Sequence, residues 1–334
     1  MLRNLITDVA GVRVGHATDL DLASGVTAVL FDRPASVSVA VLGGAPGGRD
    51  TDMLSPCATM PTIDGVVLSG GSVFGLDAPG GAQAALREAG RGFTLGGTPV
   101  PLVSGAILFD LLNGGNKGWG RHAPYRDLGY AAARAALAAD GAGDFALGSV
   151  GAGTGATTAT VKGGLGSASA VSRSGAVVGA LVAVNAMGSP LVGDGPWFWA
   201  APFERGDEFG GRGWPAPMPE DALALRLKGG TGTATTIALV ATDATLSKAQ
   251  AHRLALMAHD GLARALLPAH APMDGDTVFG AATGARPGEV DALELTELGW
   301  LAAMALARAI ARGVHAATPL PQPGAQASWR QMFG

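Results

Sequence analysis

Residues 229–243 read Gly-Gly-Thr-Gly-Thr-Ala-Thr-Thr-Ile-Ala-Leu-Val-Ala-Thr-Asp. A glycine- and threonine-rich segment meets a hydrophobic β-strand within two residues. Ile, Val and Thr favour strands, so 236–242 is expected to be a buried one. The abrupt junction admits two readings. In one, a glycine loop feeds a core strand and the threonines serve β propensity. In the other, a hydroxyl attacks the carbonyl before it and forms an ester by N→O acyl shift. Hydrolysis of that ester frees an N-terminal threonine, which carries a nucleophile and a base, its own α-amine, in one residue. An α-amine titrates at about 7.7–8.0, a useful range for a base near neutrality.

Outward from this strand, strands and helices alternate without an internal repeat. Strands are expected at 37–42, 65–69 and 278–282. A hairpin is expected from 168–172 and 176–184 around Arg173-Ser174-Gly175. Helices are expected over 76–89 and over 128–139, the latter closed by Asp140-Gly141. A third, capped by Ser247, is expected to run to about 267, and a fourth over 293–312, stopped by Gly313. The segment 191–227, with Trp197, Trp199 and Trp214, reads as a long irregular excursion, and the tail after Thr318 as extended. Antiparallel strands sandwiched by helices suit this order.

Composition narrows the function classes. The 334 residues are 48% hydrophobic and only 15% charged, with a formal net charge of −4 and no basic block or acidic tail. Neither nucleic acid nor a membrane is an expected partner. The N-terminus has no apolar signal core, so a cytoplasmic protein is expected. Fifty-three glycines without a triplet period point to layers that approach closely. Cys57 is the only cysteine, which rules out an internal disulfide and a thiolate zinc site; it is expected to be a small buried hydrophobe. His252 and His259 read as partly exposed helix residues. No HExxH, Walker A or GxSxG pattern occurs, and Gly-Ala-Gly-Thr-Gly-Ala at 151–156 matches a dinucleotide fingerprint only in part. No metal or cofactor is expected.

Three other places carry unusual polar groups. Residues 272–279, Pro-Met-Asp-Gly-Asp-Thr-Val-Phe, set Asp274 and Asp276 two apart around Gly275 just before a strand. They suit either a surface turn or a pair of carboxylates aimed at one site. Lys162 is a lone charge in a long uncharged stretch. Asn185 ends the apolar strand Val-Ala-Val-Asn and needs a partner there.

Together these segments resemble the L-aminopeptidase/D-esterase and β-peptidyl aminopeptidase family, which includes the nylon-oligomer hydrolases. The resemblance spans nearly the whole chain. It runs from Asp-Val-Ala-Gly-Val-Arg-Val-Gly-His at 8–16, through Leu-Ser-Gly-Gly-Ser-Val-Phe-Gly-Leu-Asp at 68–77 and Pro-Val-Pro-Leu-Val at 99–103, to the two segments quoted above. It implies a four-layer αββα sandwich of N-terminal-nucleophile type, one catalytic domain over 1–334, and self-cleavage between Ala234 and Thr235 into 1–234 and 235–334. It also implies a catalytic set of Thr235, Lys162, Asn185, Asp274 and Asp276, and a homo-oligomer, a tetramer, of cleaved heterodimers.

The Asp-Gly-Asp follows the nylon-hydrolase pattern; the β-peptidyl branch has Ser and Glu there. Ala234 replaces the usual Asn or Gly before the nucleophile. Phe109 stands where characterised relatives have a tyrosine, and is expected to line the substrate site. The aminopeptidase branch holds the substrate's amine with an acid in the stretch matching 104–108, and here the nearest acid is Asp110. Short peptides and ω-amino-acid oligoamides are therefore the expected substrates. A true aminopeptidase/D-esterase or β-aminopeptidase, an acyltransferase of the ornithine acetyltransferase type and an uncleaved non-enzymatic binding protein are the alternatives.

Overall fold

The computed structural model describes residues 2–139, 143–229 and 234–334. The helix-closing Asp140-Gly141 and residues 230–233 of the glycine–threonine run lie outside them. Two sheets share one long strand, β2 (Ser24–Val41). Its first half pairs with β1 (Val12–Asp19) and β4 (Ile63–Ser69); β4 continues parallel to β7 (Val103–Ile107), and the short β3 (Gly48–Arg49) closes that edge. A small hairpin of β5 (Phe93–Leu95) and β6 (Thr98–Val100) stands apart. The second half of β2 pairs with β11 (Thr277–Arg286), followed in order by β10 (Thr235–Ala244), β9 (Val177–Asn185) and β8 (Leu165–Val171). Between its two halves, the exposed Asp32, Arg33 and Pro34 carry the chain from one sheet to the other, and the pairing with β4 shifts register there. Pro34 donates no backbone hydrogen bond, so a strand bends there at little cost. The sequence reading finds only the second half of this strand.

Three apolar cores define four layers. Helices α1 (Ala78–Glu88) and α2 (Tyr125–Ala138) cover the first sheet through Val26, Ala28, Leu30, Ala82, Leu86 and Ala132. Between the sheets lie Val29, Phe31, Val66 and Leu68 from one and Leu181, Ile237, Leu239 and Phe279 from the other. Helices α3 (Lys248–Ala265) and α4 (Ala292–Ala316) cover the second sheet against Val182, Val184, Ala238 and Val240. Alternate residues of β10 thus face two different cores, as the period of two requires, and every one of its residues is buried. This is the αββα sandwich expected from the resemblance.

Local chemistry fixes the element ends. Ser247 and Gln250 form a reciprocal capping box at the start of α3, and Asp291 caps α4 through the Glu294 N–H at 2.8 Å. Gly313 does not stop α4; the helix continues through it to Ala316. Its purpose is contact. A Cβ on Gly313 would stand 2.8 Å from the Gly166 nitrogen, and one on Gly166 only 1.8 Å from the Ala309 carbonyl oxygen, so α4 lies directly on β8. The expected helix over 76–89 begins instead as a 3-10 turn, Ser72–Asp77, before α1. The tail ends in a short helix, α5 (Trp329–Phe333), whose Trp329 stacks on Phe198 of the excursion at 5.8 Å. Cys57 is exposed rather than buried, and His259 is buried rather than partly exposed.

Candidate active site

The N-terminal end of β10 meets the C-terminal end of β9 and the turn before β11. Thr235 pairs directly with Asn185 across the antiparallel ladder, so the hydroxyl and the amide arise from adjacent backbone positions. On the other side Ala234 bridges to Asp274 in parallel register. The sheet alone therefore gathers four of the expected residues.

Thr235 is 3% exposed, and its hydroxyl donates to the Ala234 carbonyl oxygen. The same oxygen accepts the Gly275 N–H at 3.2 Å. The carbonyl that a Thr235 attack would convert to an oxyanion thus has a backbone donor aimed at it. Only glycine fits at 275, because a Cβ there would stand 2.7 Å from Thr235 Oγ1. That is the physical reason for the Asp-Gly-Asp spacing.

The two carboxylates have different surroundings. Asp276 Oδ1 accepts the Thr236 N–H at 3.0 Å, and Oδ2 accepts both the His270 N–H at 2.9 Å and His270 Nδ1 at 2.8 Å. Among the described residues, the buried Oδ1 of Asp274 has no hydrogen-bond partner. Burial, then the charge of Asp276, push the Asp274 carboxyl well above the usual carboxylate range. Of the two carboxyls, Asp274 is the one whose protonated form its surroundings favour.

Asn185 is fixed at both ends of its amide. Its Oδ1 accepts Lys228 Nζ at 2.7 Å, the Thr157 N–H at 3.0 Å and Asn113 Nδ2 at 3.4 Å. Its Nδ2 donates to the Phe109 carbonyl oxygen at 3.0 Å. Three donors on one end settle which end is oxygen. Phe109 thus meets the site through its backbone.

Lys162 is 1% exposed, and its ammonium contacts three carbonyl oxygens: Ala156 at 2.6 Å, Gly163 at 2.9 Å and Gly153 at 3.1 Å. Burial pulls it down to about 7, while Asp110 acts to raise it and Lys228 to lower it further. Among the described residues no hydrogen bond joins Lys162 to Thr235. Lys162 shapes the 153–163 loop instead, and that loop delivers the Thr157 N–H to Asn185.

Asp110 cannot serve as an open amine anchor. It is 0% exposed, Oδ2 accepts the Ser24 hydroxyl at 2.6 Å and Oδ1 the Gly71 N–H at 2.7 Å. The sequence reading misses Lys228, Asn113 and His270. Lys228 is pulled down to about 8 by burial, with Asp110 and Asp274 opposing. It follows an exposed run with Leu223, Leu225 and Leu227, so nothing in its neighbours marks it as a site residue. Lys228, Asn113 and Thr157 also line a cavity of about 500 Å³, together with Gln322 and Gln326. Its lining is polar, and the tryptophans of the 191–227 excursion are not part of it: Trp199 packs on Trp214 at 5.8 Å. Among the described residues no group of three His, Cys, Asp or Glu gathers to hold a metal, and no helix is long and apolar enough to cross a membrane.

Residues 4–327 match the model of peptidase family S58, and the chain belongs to that family. An uncharacterised aminopeptidase of Mycobacterium bovis is 42% identical over 344 residues, covering 95% of each chain. The 6-aminohexanoate-oligomer endohydrolase of Kocuria sp. is 30% identical, covering 83% of this chain and 74% of its own. The solved structure of the L-aminopeptidase D-Ala-esterase/amidase from Ochrobactrum anthropi, described as a variant of the Ntn hydrolase fold, superposes with a TM-score of 0.68 at 22% identity over 96% of this chain and 88% of that one. The protein is a peptide hydrolase with that fold.

Proposed function

We propose that the chain cuts itself between Ala234 and Thr235 and then hydrolyses amides with Thr235 as the nucleophile. The observation that carries this is the Ala234 carbonyl oxygen, shared by the Thr235 hydroxyl and the Gly275 N–H. Attack of Oγ1 on the Ala234 carbonyl carbon forms the ester as the Ala234–Thr235 C–N bond breaks, and the hydroxyl proton ends on the freed amine. Water then releases the Ala234 carboxylate and restores the hydroxyl. The products are 1–234 and 235–334, which remain one catalytic domain.

In turnover the α-amine of Thr235 takes the proton from Oγ1 as it attacks the substrate carbonyl and passes it to the leaving amine. Asn185 supplies the oxyanion donor, aimed by the contacts on its Oδ1. Lys162 holds the loop that carries the Thr157 donor. Asp276 and the neutral Asp274 orient the hydroxyl and amine of Thr235. Phe109 places its carbonyl on Asn185 and its ring on the substrate's side. Intact-mass measurement of the purified protein tests the first step: a fragment beginning at Thr235 supports it, and an uncut chain after prolonged warming removes it. A cytoplasmic tetramer of cleaved heterodimers completes the proposal, and light scattering with cell fractionation tests it.

The substrate class is short peptides and ω-amino-acid oligoamides such as 6-aminohexanoate oligomers. Two features support internal amides over single-residue removal: 104–108 contains no acid, and Asp110 is enclosed. Acetylating the free amine of an oligoamide is expected to change its cleavage rate less than about tenfold, roughly 1.4 kcal/mol of transition-state binding. A hundredfold loss returns the protein to the aminopeptidase reading.

A further inference from the structure

His270 lies outside every role assigned so far, yet it supplies two of the three N–H donors on Asp276. A carboxylate only accepts, so Nδ1 carries the proton in this contact. The residue adopts φ +58°, a left-handed conformation uncommon outside glycine. That backbone turn aims its N–H and its ring at the same carboxylate oxygen. The ring is located from behind by His259 of α3, edge-on at 5.0 Å between centroids, and His259 Nε2 is in turn fixed on the Ala40 carbonyl at 3.0 Å. Burial holds His259 neutral, lowering it to about 4, so no charge on it opposes the His270 ring.

We propose that His270 is a positioning residue for the hydrolytic site: its imidazole N–H locks the Asp276 carboxylate so that Asp276 keeps its Oδ1 on the Thr236 backbone beside the nucleophile. The inference rests on the reading of Thr235 as that nucleophile. The Thr236 N–H fixes one oxygen of Asp276 and His270 the other. Without the ring, the carboxylate is free to turn toward Asp274 and its proton, and the geometry around Thr235 loosens.

The left-handed backbone decides which variants are informative. Asn tolerates this region and keeps an N–H donor close to the place of Nδ1, whereas glycine adopts it without strain and removes the donor. Turnover is measured on alanine p-nitroanilide and on a 6-aminohexanoate oligomer, using whichever the wild-type protein cleaves faster. His270→Gly is expected to lose about 10- to 100-fold in kcat with KM within about twofold, the scale of one hydrogen bond to a charged group. His270→Asn is expected to stay within about threefold of wild type. Wild-type turnover in His270→Gly overturns the proposal, and so does a His270→Asn as slow as His270→Gly. Should the glycine variant fail to fold, the isosteric pair His270→Asn and His270→Asp decides, since only Asn donates; equal turnover in those two overturns it. The two readings fail separately. An uncut, inactive wild-type chain removes the nucleophile reading, whereas a fragment starting at Thr235 with an unaffected His270→Gly removes only the role of His270.

Discussion

From Ile237 to Ala241, β10 carries only apolar side chains, each 0% exposed and shared between two cores. At Thr235 and Thr236 the same strand is as deeply buried but touches Asp276, Ala234 and, across the ladder, Asn185. The first region owes its burial to the hydrophobic effect, at roughly 1.5–3 kcal/mol for each large side chain. The second resists it: two carboxyls, the Lys162 ammonium and an amide sit out of water with Lys228 half-buried beside them, held by hydrogen bonds that barely offset their desolvation. Stability and chemistry thus occupy opposite ends of one strand. Substitutions at the polar end should remove function and spare the fold; those in the apolar run should do the reverse.

The sharpest break of this contrast is Thr235→Ala. It is expected to leave one folded, uncut chain with turnover at background, read by intact mass and circular dichroism. A folded variant that still yields a fragment would mean another hydroxyl, such as Thr236, is the nucleophile. Asn185→Ala comes next, with an expected loss of about 10²–10³ in kcat, the usual cost of one oxyanion donor. If its Tm falls while kcat per folded molecule holds, Asn185 belongs with the structural end of its strand.

The two carboxyls sharpen the comparison inside the polar region. Burial and the charge of Asp276 favour the protonated form of Asp274, so Asp274→Asn, which keeps a neutral group there, should change turnover less than about tenfold. Asp276→Asn replaces an acceptor of three N–H donors and should lose more than that. Equal effects would mean the pair acts as one unit. At the apolar end Ile237→Val is expected to cost about 0.5–1.5 kcal/mol in a denaturant titration and leave kcat unchanged.

The smallest effect is on pH. His16, on β1, is lowered from 6.5 to about 4 by burial, with the Ala146 backbone opposing. Its folded value lies below its unfolded one, so its contribution is present above pH 6.5 and is lost as pH falls toward 4. Asp274 has the opposite sign. Its folded value lies above the ordinary 3.8, so its contribution is full below 3.8 and is lost as pH rises through the raised value. Asp274→Asn should therefore flatten the Tm profile between pH 3.8 and about 8 and leave it as it was outside that window. A profile unchanged between those values would remove the proton assigned to Asp274.

By itself the sequence determined the elements whose signal is local. The period of β10, the hairpin around Arg173-Ser174-Gly175 and the Ser247 cap are legible because neighbours along the chain create them. The glycine–threonine junction and the Asp-Gly-Asp spacing marked where chemistry concentrates, and the family resemblance supplied the partners Lys162 and Asn185. Only the tertiary structure decided which groups meet. Register across β9 and β10 pairs Asn185 with Thr235, and the parallel bridge at Asp274 brings the Gly275 N–H to the Ala234 oxygen. The same packing turned Gly313 from a helix stop into a helix–strand contact and enclosed Asp110. It also drew Lys228, Asn113 and His270 to the site from loops with no periodic signal. Register and packing depend on residues far apart in the chain, and a side chain's solvation, which sets its charge and use, exists only once they have come together.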